Sequence, residues 1–259
     1  MSLQLQNQII LGDCLEKMKD IPDNYIDMII TSPPYFNAKQ YSQYETLEQY
    51  MEEMQKIFRQ CLRVIKQSRI CIIIVSPVIQ PRISRSKQSY RIPLNAYYII
   101  MMEKLGFDFL EDIIWLKPDG SAKNRNGGFY RHRKPIAYKP NIVTEYVLVF
   151  KKKAPFLIDK IIKNNSLVPD GYERTNVWKI NPETKSKHPA PFPEQLAKKC
   201  IEYYSYENDI VLDPFAGSGT TTIACINTNR NYICIEKDEN YFNIMKNRIT
   251  SLTESEGKN

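Results

Sequence analysis

The sequence predicts an α/β protein with a doubly wound, mostly parallel sheet, and three observations carry that expectation. The apolar run Ile26 to Ile30 stops abruptly at Thr31-Ser32-Pro33-Pro34-Tyr35-Phe36, as a buried strand does when it ends at its carboxyl edge. Asp209-Ile210-Val211-Leu212 leads into Asp213-Pro214-Phe215-Ala216-Gly217-Ser218-Gly219-Thr220-Thr221 and then Thr222 to Ile226, which reads as strand, glycine turn and helix. Between them, apolar stretches of strand length alternate with amphipathic stretches of helical length. Open sheets of this kind bind ligands at the carboxyl ends of their strands, where both turns fall.

Each turn has a chemistry of its own. Pro33 and Pro34 lack amide hydrogens and fix their own φ, so carbonyls there are unpaired and rigid beside a hydroxyl and an aromatic ring. Acceptors with a stacking face suit an amine on a flat ring; a plain Pro-Pro turn over a buried tyrosine is the competing reading. At the second turn, glycines let the backbone approach a nucleotide-like group. Thr222 stands where a dinucleotide fingerprint has its third glycine, which argues against NAD or FAD. The next strand, Asn231 to Ile235, ends in Glu236, an acid placed to hold ribose hydroxyls.

On these residues the chain resembles the S-adenosylmethionine-dependent DNA amino-methyltransferases. The Ser-Pro-Pro-Tyr motif precedes the Phe-x-Gly-x-Gly motif, the order of the circularly permuted beta class, and the resemblance covers most of the chain. It implies a Rossmann-like methyltransferase fold: a seven-stranded sheet with an antiparallel edge and a small target-recognition insertion. The corresponding divisions are a catalytic half at 1–153, the insertion at 154–180 and a cofactor half at 181–259. Carried over position by position, the catalytic residues are Ser32, Pro33, Pro34 and Tyr35. The S-adenosylmethionine set is Asp13, Cys14, Thr31, Asp213, Phe215, Ala216, Gly217, Ser218, Gly219, Thr220, Thr221, Glu236 and Lys237, with His188 and Pro189 packing against the cofactor. In that family an acid at the place of Asp13 accepts a hydrogen bond from the adenine amine; a helix N-cap is its bland alternative, and the roles are compatible.

The rest of the chain follows in order. Gln8 to Gly12 reads as a short strand and Thr46 to Lys66 as a long amphipathic helix, with Leu47, Tyr50, Met54, Ile57, Phe58, Cys61 and Ile65 at three- and four-residue steps. Phe36 to Tyr44 is a polar loop able to close over a target base. Arg69 to Val75 is a buried strand, Arg91 to Leu105 a helix broken near its start by Pro93, and Phe107 to Leu116 and Asn141 to Lys151 are strands. Gln195 to Tyr204 is the helix before the glycine turn. Its 259 residues, 42% of them hydrophobic, suffice for one large domain. Six cysteines at 14, 61, 71, 200, 225 and 234 show no metal-type spacing and read as reduced core thiols. No metal is expected. The apolar run Ile70 to Val75 is far short of the ~20 residues of a membrane span, and no signal segment opens the chain, so a cytoplasmic protein is expected.

Charge points to nucleic acid. The net charge is +7, and Gln80 to Pro140 holds twelve Lys or Arg against five Asp or Glu, so the excess sits in the middle. Arg82, Arg85, Lys87 and Arg91 interleave with serines and Tyr90; Lys123, Arg125, Arg131, Arg133, Lys134 and Lys139 surround Gly127-Gly128-Phe129-Tyr130. Both groups suit phosphate contacts, a solvated basic face being the alternative. In the insertion, Lys160, Lys163, Asn164, Asn165, Tyr172, Arg174 and Asn176 are candidates for base or backbone contacts. The expected partner is double-stranded DNA; the resemblance is compatible with a companion restriction endonuclease and with a homodimer.

An exocyclic amine is a poor nucleophile because its lone pair is delocalised into the ring. Ser32 Oγ and the Pro33 carbonyl would hold its hydrogens and favour a tetrahedral nitrogen, and Tyr35, with help from Phe36, would stack on a base extruded from the duplex. Methyl transfer then needs orientation, with no covalent enzyme intermediate. The Pro-Cys dipeptide of carbon-5 cytosine methyltransferases is absent. Family members with Ser before the prolines mostly methylate the 4-amino group of cytosine, those with Asp more often adenine, and a hydroxyl, being donor as well as acceptor, could also engage cytosine's ring nitrogen. Cytosine is therefore the first expectation and adenine-N6 the second. A catalytically inactive DNA-binding relative would show a damaged turn, which this chain does not; an RNA or protein-glutamine methyltransferase fits the motif order and basic loops less well.

Overall fold

Alternating inward and outward apolar residues on the central strands force helices onto both sheet faces, and that is the arrangement found. The computed structural model describes residues 5–37, 44–81, 84, 86–87, 89–121, 135, 138, 140–156, 168, 172–183 and 192–256. The strands are β1 (Gln8–Leu11), β2 (Ile26–Thr31), β3 (Ile65–Val75), β4 (Val78–Gln80), β5 (Tyr90–Ile92), β6 (Phe107–Leu116), β7 (Thr144–Lys152), β8 (Val177–Lys179), β9 (Ile210–Asp213) and β10 (Asn231–Glu236). The helices are α1 (Cys14–Lys17), α2 (Leu47–Val64), α3 (Leu94–Leu105), α4 (Glu194–Tyr204), α5 (Thr220–Ile226) and α6 (Glu239–Glu256). Eight strands form one sheet in the order β1-β10-β9-β2-β3-β7-β6-β8, and β4 pairs with β5 in a separate hairpin. β7 alone runs against its neighbours β3 and β6; the other pairs are parallel.

Side-chain alternation divides the core in two. Ile29 of β2, Cys71 and Ile73 of β3, Leu148 and Phe150 of β7 and Leu212 of β9 pack with Tyr50, Phe58, Tyr98 and Met102 of α2 and α3. On the other face Met28, Ile30, Ile72, Ile74, Val147 and Val149 pack with Leu196, Cys200, Ala224 and Met245 of α4, α5 and α6. All six cysteines are buried and free. No helix among the described residues is long and apolar enough to cross a membrane.

Three details depart from the sequence expectation. Where seven strands were expected, Val177–Lys179 adds an eighth beside β6; Trp178 is buried and the Trp115 indole donates to the Ile180 carbonyl at 2.8 Å. The end of the expected insertion thus belongs to the main sheet. The expected helix from Arg91 begins instead at Leu94, because Pro93 occupies the N-cap and Tyr90–Ile92 pair with Val78–Gln80. β3 starts at Ile65, directly after α2, with Ser68 at φ 63° early in the strand.

Candidate active site

The sheet reverses its winding between β9 and β2, and the carboxyl ends of those two strands carry the two turns. They are tied by one residue. Asp213, fully buried at the end of β9, accepts from Thr31 Oγ1 at 2.7 Å, from Thr221 Oγ1 at 2.6 Å and from the Phe215 amide at 3.0 Å. Its carboxyl thus holds together the end of β2, the glycine turn and the start of α5. Burial pushes its pKa up to about 6, against the lowering effect of the Thr221, Thr31 and Phe215 donors. Thr31, Asp213 and Thr221, all expected to touch cofactor, are instead bonded to one another with no exposed surface.

On the β10 side of this tie lies a cradle. Gly217 and Gly219 have φ of 53° and 84°, a left-handed backbone that side chains disfavour. A Cβ at Gly219 would lie 2.5 Å from Met245 Cγ on α6, so the turn rests directly on that helix. Arg248 of α6 donates to the Ser218 carbonyl at 2.9 Å, and Ser218 and Thr220 are buried. The Ala216 amide joins the turn to the Ile235 carbonyl. Glu236 accepts from the Gly217 amide at 2.7 Å through Oε2 and from the Asp238 amide at 2.8 Å through Oε1, which fixes the carboxylate at the rim. Gly12 N–H donates to the Glu236 carbonyl at 2.9 Å, bringing the β1 end alongside.

Asp13 follows at once. It is exposed, and its Oδ1 caps α1 by accepting from the Leu15 amide at 2.9 Å and the Glu16 amide at 3.4 Å. Both bonds use one oxygen, so the bland N-cap role is present and leaves Oδ2 for other donors. The Cys14 side chain lies in the core, where burial pushes its thiol up to about 12; only its backbone is on the rim. Phe215 is partly buried and Lys237 is exposed. His188 and Pro189 lie outside the described residues.

On the β3 side lies the acceptor turn. Pro33 is buried, and Ser32, Pro34 and Tyr35 are partly buried. Phe36 packs into an aromatic group with Tyr44 at 6.5 Å and Tyr50 at 5.7 Å between ring centroids, and Asn37 clasps the Tyr44 backbone from both sides. Phe36 is thus an anchor of the turn rather than a free stacking face. Tyr35 donates its hydroxyl hydrogen to Glu145 Oε2 at 2.8 Å. Burial, then the Glu145 charge, raises the Tyr35 phenol well above its usual pKa, so it remains a donor. Glu145, near the start of β7, is ion-paired with Lys117, just past β6, whose ammonium lies 4.4 Å from the Trp115 ring centre. Glu145 and Lys117 were not found by reading the sequence. They stand 110 and 82 positions from Tyr35, in segments whose local pattern says only strand.

The basic loops are only partly in view. The β4–β5 hairpin leaves the carboxyl end of β3, on the edge of the acceptor turn, with Lys87 exposed and Arg91 on β5. Arg82, Arg85, Lys123, Arg125, Arg131, Arg133, Lys134 and Lys139 lie outside the described residues, as do Lys160, Lys163, Asn164 and Asn165. Tyr172, Arg174 and Asn176 correct an expectation: Tyr172 packs against Tyr203 at the carboxyl end of α4, and Asn176 donates to the Asp112 carbonyl in the middle of β6. Because β8 runs parallel to β6, the residues before it lie toward the opposite edge of the sheet from the acceptor turn.

Comparison with known proteins fits this geometry. A family model for DNA methylases of the N6/N4 kind matches residues 26–247. The Type II beta methyltransferase M.BslI of Bacillus sp. (strain NEB-606) is 33% identical over 252 residues, which is 93% of this chain but 27% of that relative's length. M.BglII, a Type II methyltransferase of Bacillus subtilis, is 30% identical over 92% of this chain and 67% of its own. Among solved structures, TTHA0409 of Thermus thermophilus in complex with S-adenosyl-L-methionine superposes with a TM-score of 0.75 at 27% identity, covering 93% of this chain and 92% of that one.

Proposed function

Because this chain belongs to the N6/N4 DNA methylase family, we propose that it is a site-specific DNA methyltransferase of the permuted beta class that moves a methyl group from S-adenosylmethionine to the 4-amino group of a cytosine extruded from duplex DNA. The observation that carries the reading is the tie through Asp213, which places an acceptor turn and a glycine cradle on either side of one carboxylate. The cradle fits the cofactor: Glu236 is fixed at the rim with lone pairs remaining, Asp13 keeps a carboxylate oxygen beside it, and the turn admits no side chain at Gly219. TTHA0409 is similar in fold and was solved with that molecule.

When bound, S-adenosylmethionine supplies an electrophilic methyl on a sulfonium. The protein's part is to orient and to hold protons. Ser32 Oγ and the Pro33 carbonyl accept the two amine hydrogens, which withdraws the nitrogen lone pair from the ring and aims it. Tyr35 offers its ring face to the extruded base. The β4–β5 hairpin, with Lys87 and Arg91, faces the phosphates, and affinity falls steeply as salt rises. A recognition site read in a restriction–modification setting, with an endonuclease sharing it, is part of the same reading. Cytosine is preferred to adenine on the resemblance, since Ser stands before the two prolines.

The deciding experiment is methylation of mixed-sequence duplex DNA with isotopically labelled S-adenosylmethionine, followed by digestion to nucleosides and mass spectrometry. Label in 4-methylcytosine is the expected result. Label in 6-methyladenine overturns the choice of base alone; no label in DNA overturns the reading.

A further inference from the structure

A stacking ring serves a flat base only if its face is held at one angle, and a tyrosine side chain turns about two bonds unless both of its ends are fixed. In Tyr35 both ends are fixed. At the backbone end it follows two prolines whose φ is set, and Phe36 after it packs against Tyr44 and Tyr50. At the far end its hydroxyl donates to Glu145 Oε2 at 2.8 Å. Tyr35 belongs to the turn after β2 and Glu145 to β7, with β3 between those strands, so the side chain reaches across the end of β3. The acceptor is itself held. Glu145 Oε1 is paired with Lys117, so the two oxygens are divided between two donors. The Lys117 amide donates to the Val143 carbonyl at 2.8 Å, its ammonium lies 4.4 Å from the Trp115 ring centre, and Trp115 stands opposite Glu145 in the β6–β7 ladder. Trp115 is 2% exposed and donates to the Ile180 carbonyl just past β8. A continuous set of contacts thus runs from the core of the sheet to the tip of the tyrosine.

We infer that Glu145, seated by Lys117, is a positioning residue that fixes the Tyr35 ring as a preformed wall against which the extruded base stacks. The inference deepens the proposed function and rests on it. A base leaving the duplex loses the stacking of its neighbours, and a ring already held at its final angle restores part of that without losing side-chain freedom on binding. Orientation is also where rate is gained in a methyl transfer with no covalent intermediate, because a tilted base carries its amine away from the acceptors and the methyl group. The brace gives a reason for keeping a lysine and a glutamate at this edge of the sheet with side chains only 19% and 16% exposed, where a pair of apolar residues would cost less desolvation. It serves the ring of cytosine or of adenine alike, so it carries no choice of base.

Two variants release the ring from opposite sides. Glu145→Ala removes the acceptor, and Tyr35→Phe keeps the ring and removes the hydroxyl, so the second reads the brace even if the first folds poorly. In steady-state kinetics on mixed-sequence duplex DNA, with cofactor affinity by titration, each should lower kcat about tenfold while S-adenosylmethionine affinity stays within about twofold of wild type. Glu145→Gln should keep kcat within about threefold of wild type, because the amide still holds the hydroxyl through its oxygen or its NH2. In the Tyr35→Phe background Glu145→Ala should cost nothing more, a coupling that a merely structural defect in β7 would not give. Wild-type kcat in Glu145→Ala or Tyr35→Phe, a glutamine variant no faster than the alanine one, or costs that multiply in the double variant overturns the inference and leaves the functional reading intact. Absence of DNA methylation by the wild-type protein overturns both.

Discussion

Asp213 is a fully buried carboxyl that bonds the end of β2 to the glycine turn. Folding raises its pKa from 3.8 to about 6, so between those values the folded protein binds a proton that the unfolded chain does not, and stability falls as pH rises through the window. Taken against Asp213→Asn, which cannot ionise, the wild type should gain about 2–3 kcal/mol on going from pH 7 to pH 4. Chemical denaturation of both proteins at several pH values checks this; parallel profiles would refute it. The neighbouring residues divide by role. Ser32→Ala should lower kcat by about 10²-fold with cofactor binding retained, whereas Asp13→Ala should weaken cofactor binding, both read by titration and turnover. Loss of cofactor binding in Ser32→Ala would contradict the assignment. Gly219→Ala must either move α6 at Met245 or distort the turn, and weaker S-adenosylmethionine binding with DNA binding unchanged is the expected result.

At the scale of elements, the long strands and helices were legible because each repeats its pattern several times. Phe107–Leu116 is found with the bounds expected, and α2 begins after Thr46, whose Oγ1 caps it by accepting from the Gln49 amide at 3.1 Å. Short elements were not legible. Tyr90–Ile92 and Val177–Lys179 are three residues each, too few to show a period, and each is a strand only because a partner lies beside it. The second of these can be tested directly. Trp178 is 2% exposed between β6 and α4, in contact with Tyr203 and under the Lys199 ammonium. Trp178→Ala should destabilise the fold by about 3–5 kcal/mol in equilibrium unfolding, as loss of a core aromatic does. A cost below about 1 kcal/mol, typical of an exposed site, would remove β8 from the core.

In the whole molecule the site is a property of topology. Order along the chain puts the Ser-Pro-Pro-Tyr turn about 180 positions before the glycine turn, yet the sheet order β9-β2-β3 sets them side by side. The sequence by itself determined the kind of chemistry: prolines that strip amide hydrogens, glycines that bare the backbone and an acid ending a strand each act through their own covalent structure, so they can be read in isolation. Tertiary structure alone decided what those residues touch. Asp213, expected at the cofactor, is buried against Thr31 and Thr221, and Tyr35, expected as a stacking face, also donates to Glu145, which is ion-paired with Lys117. Hydrogen-bond direction and burial depend on neighbours brought together by strand pairing from distant parts of the chain, and no local pattern encodes them.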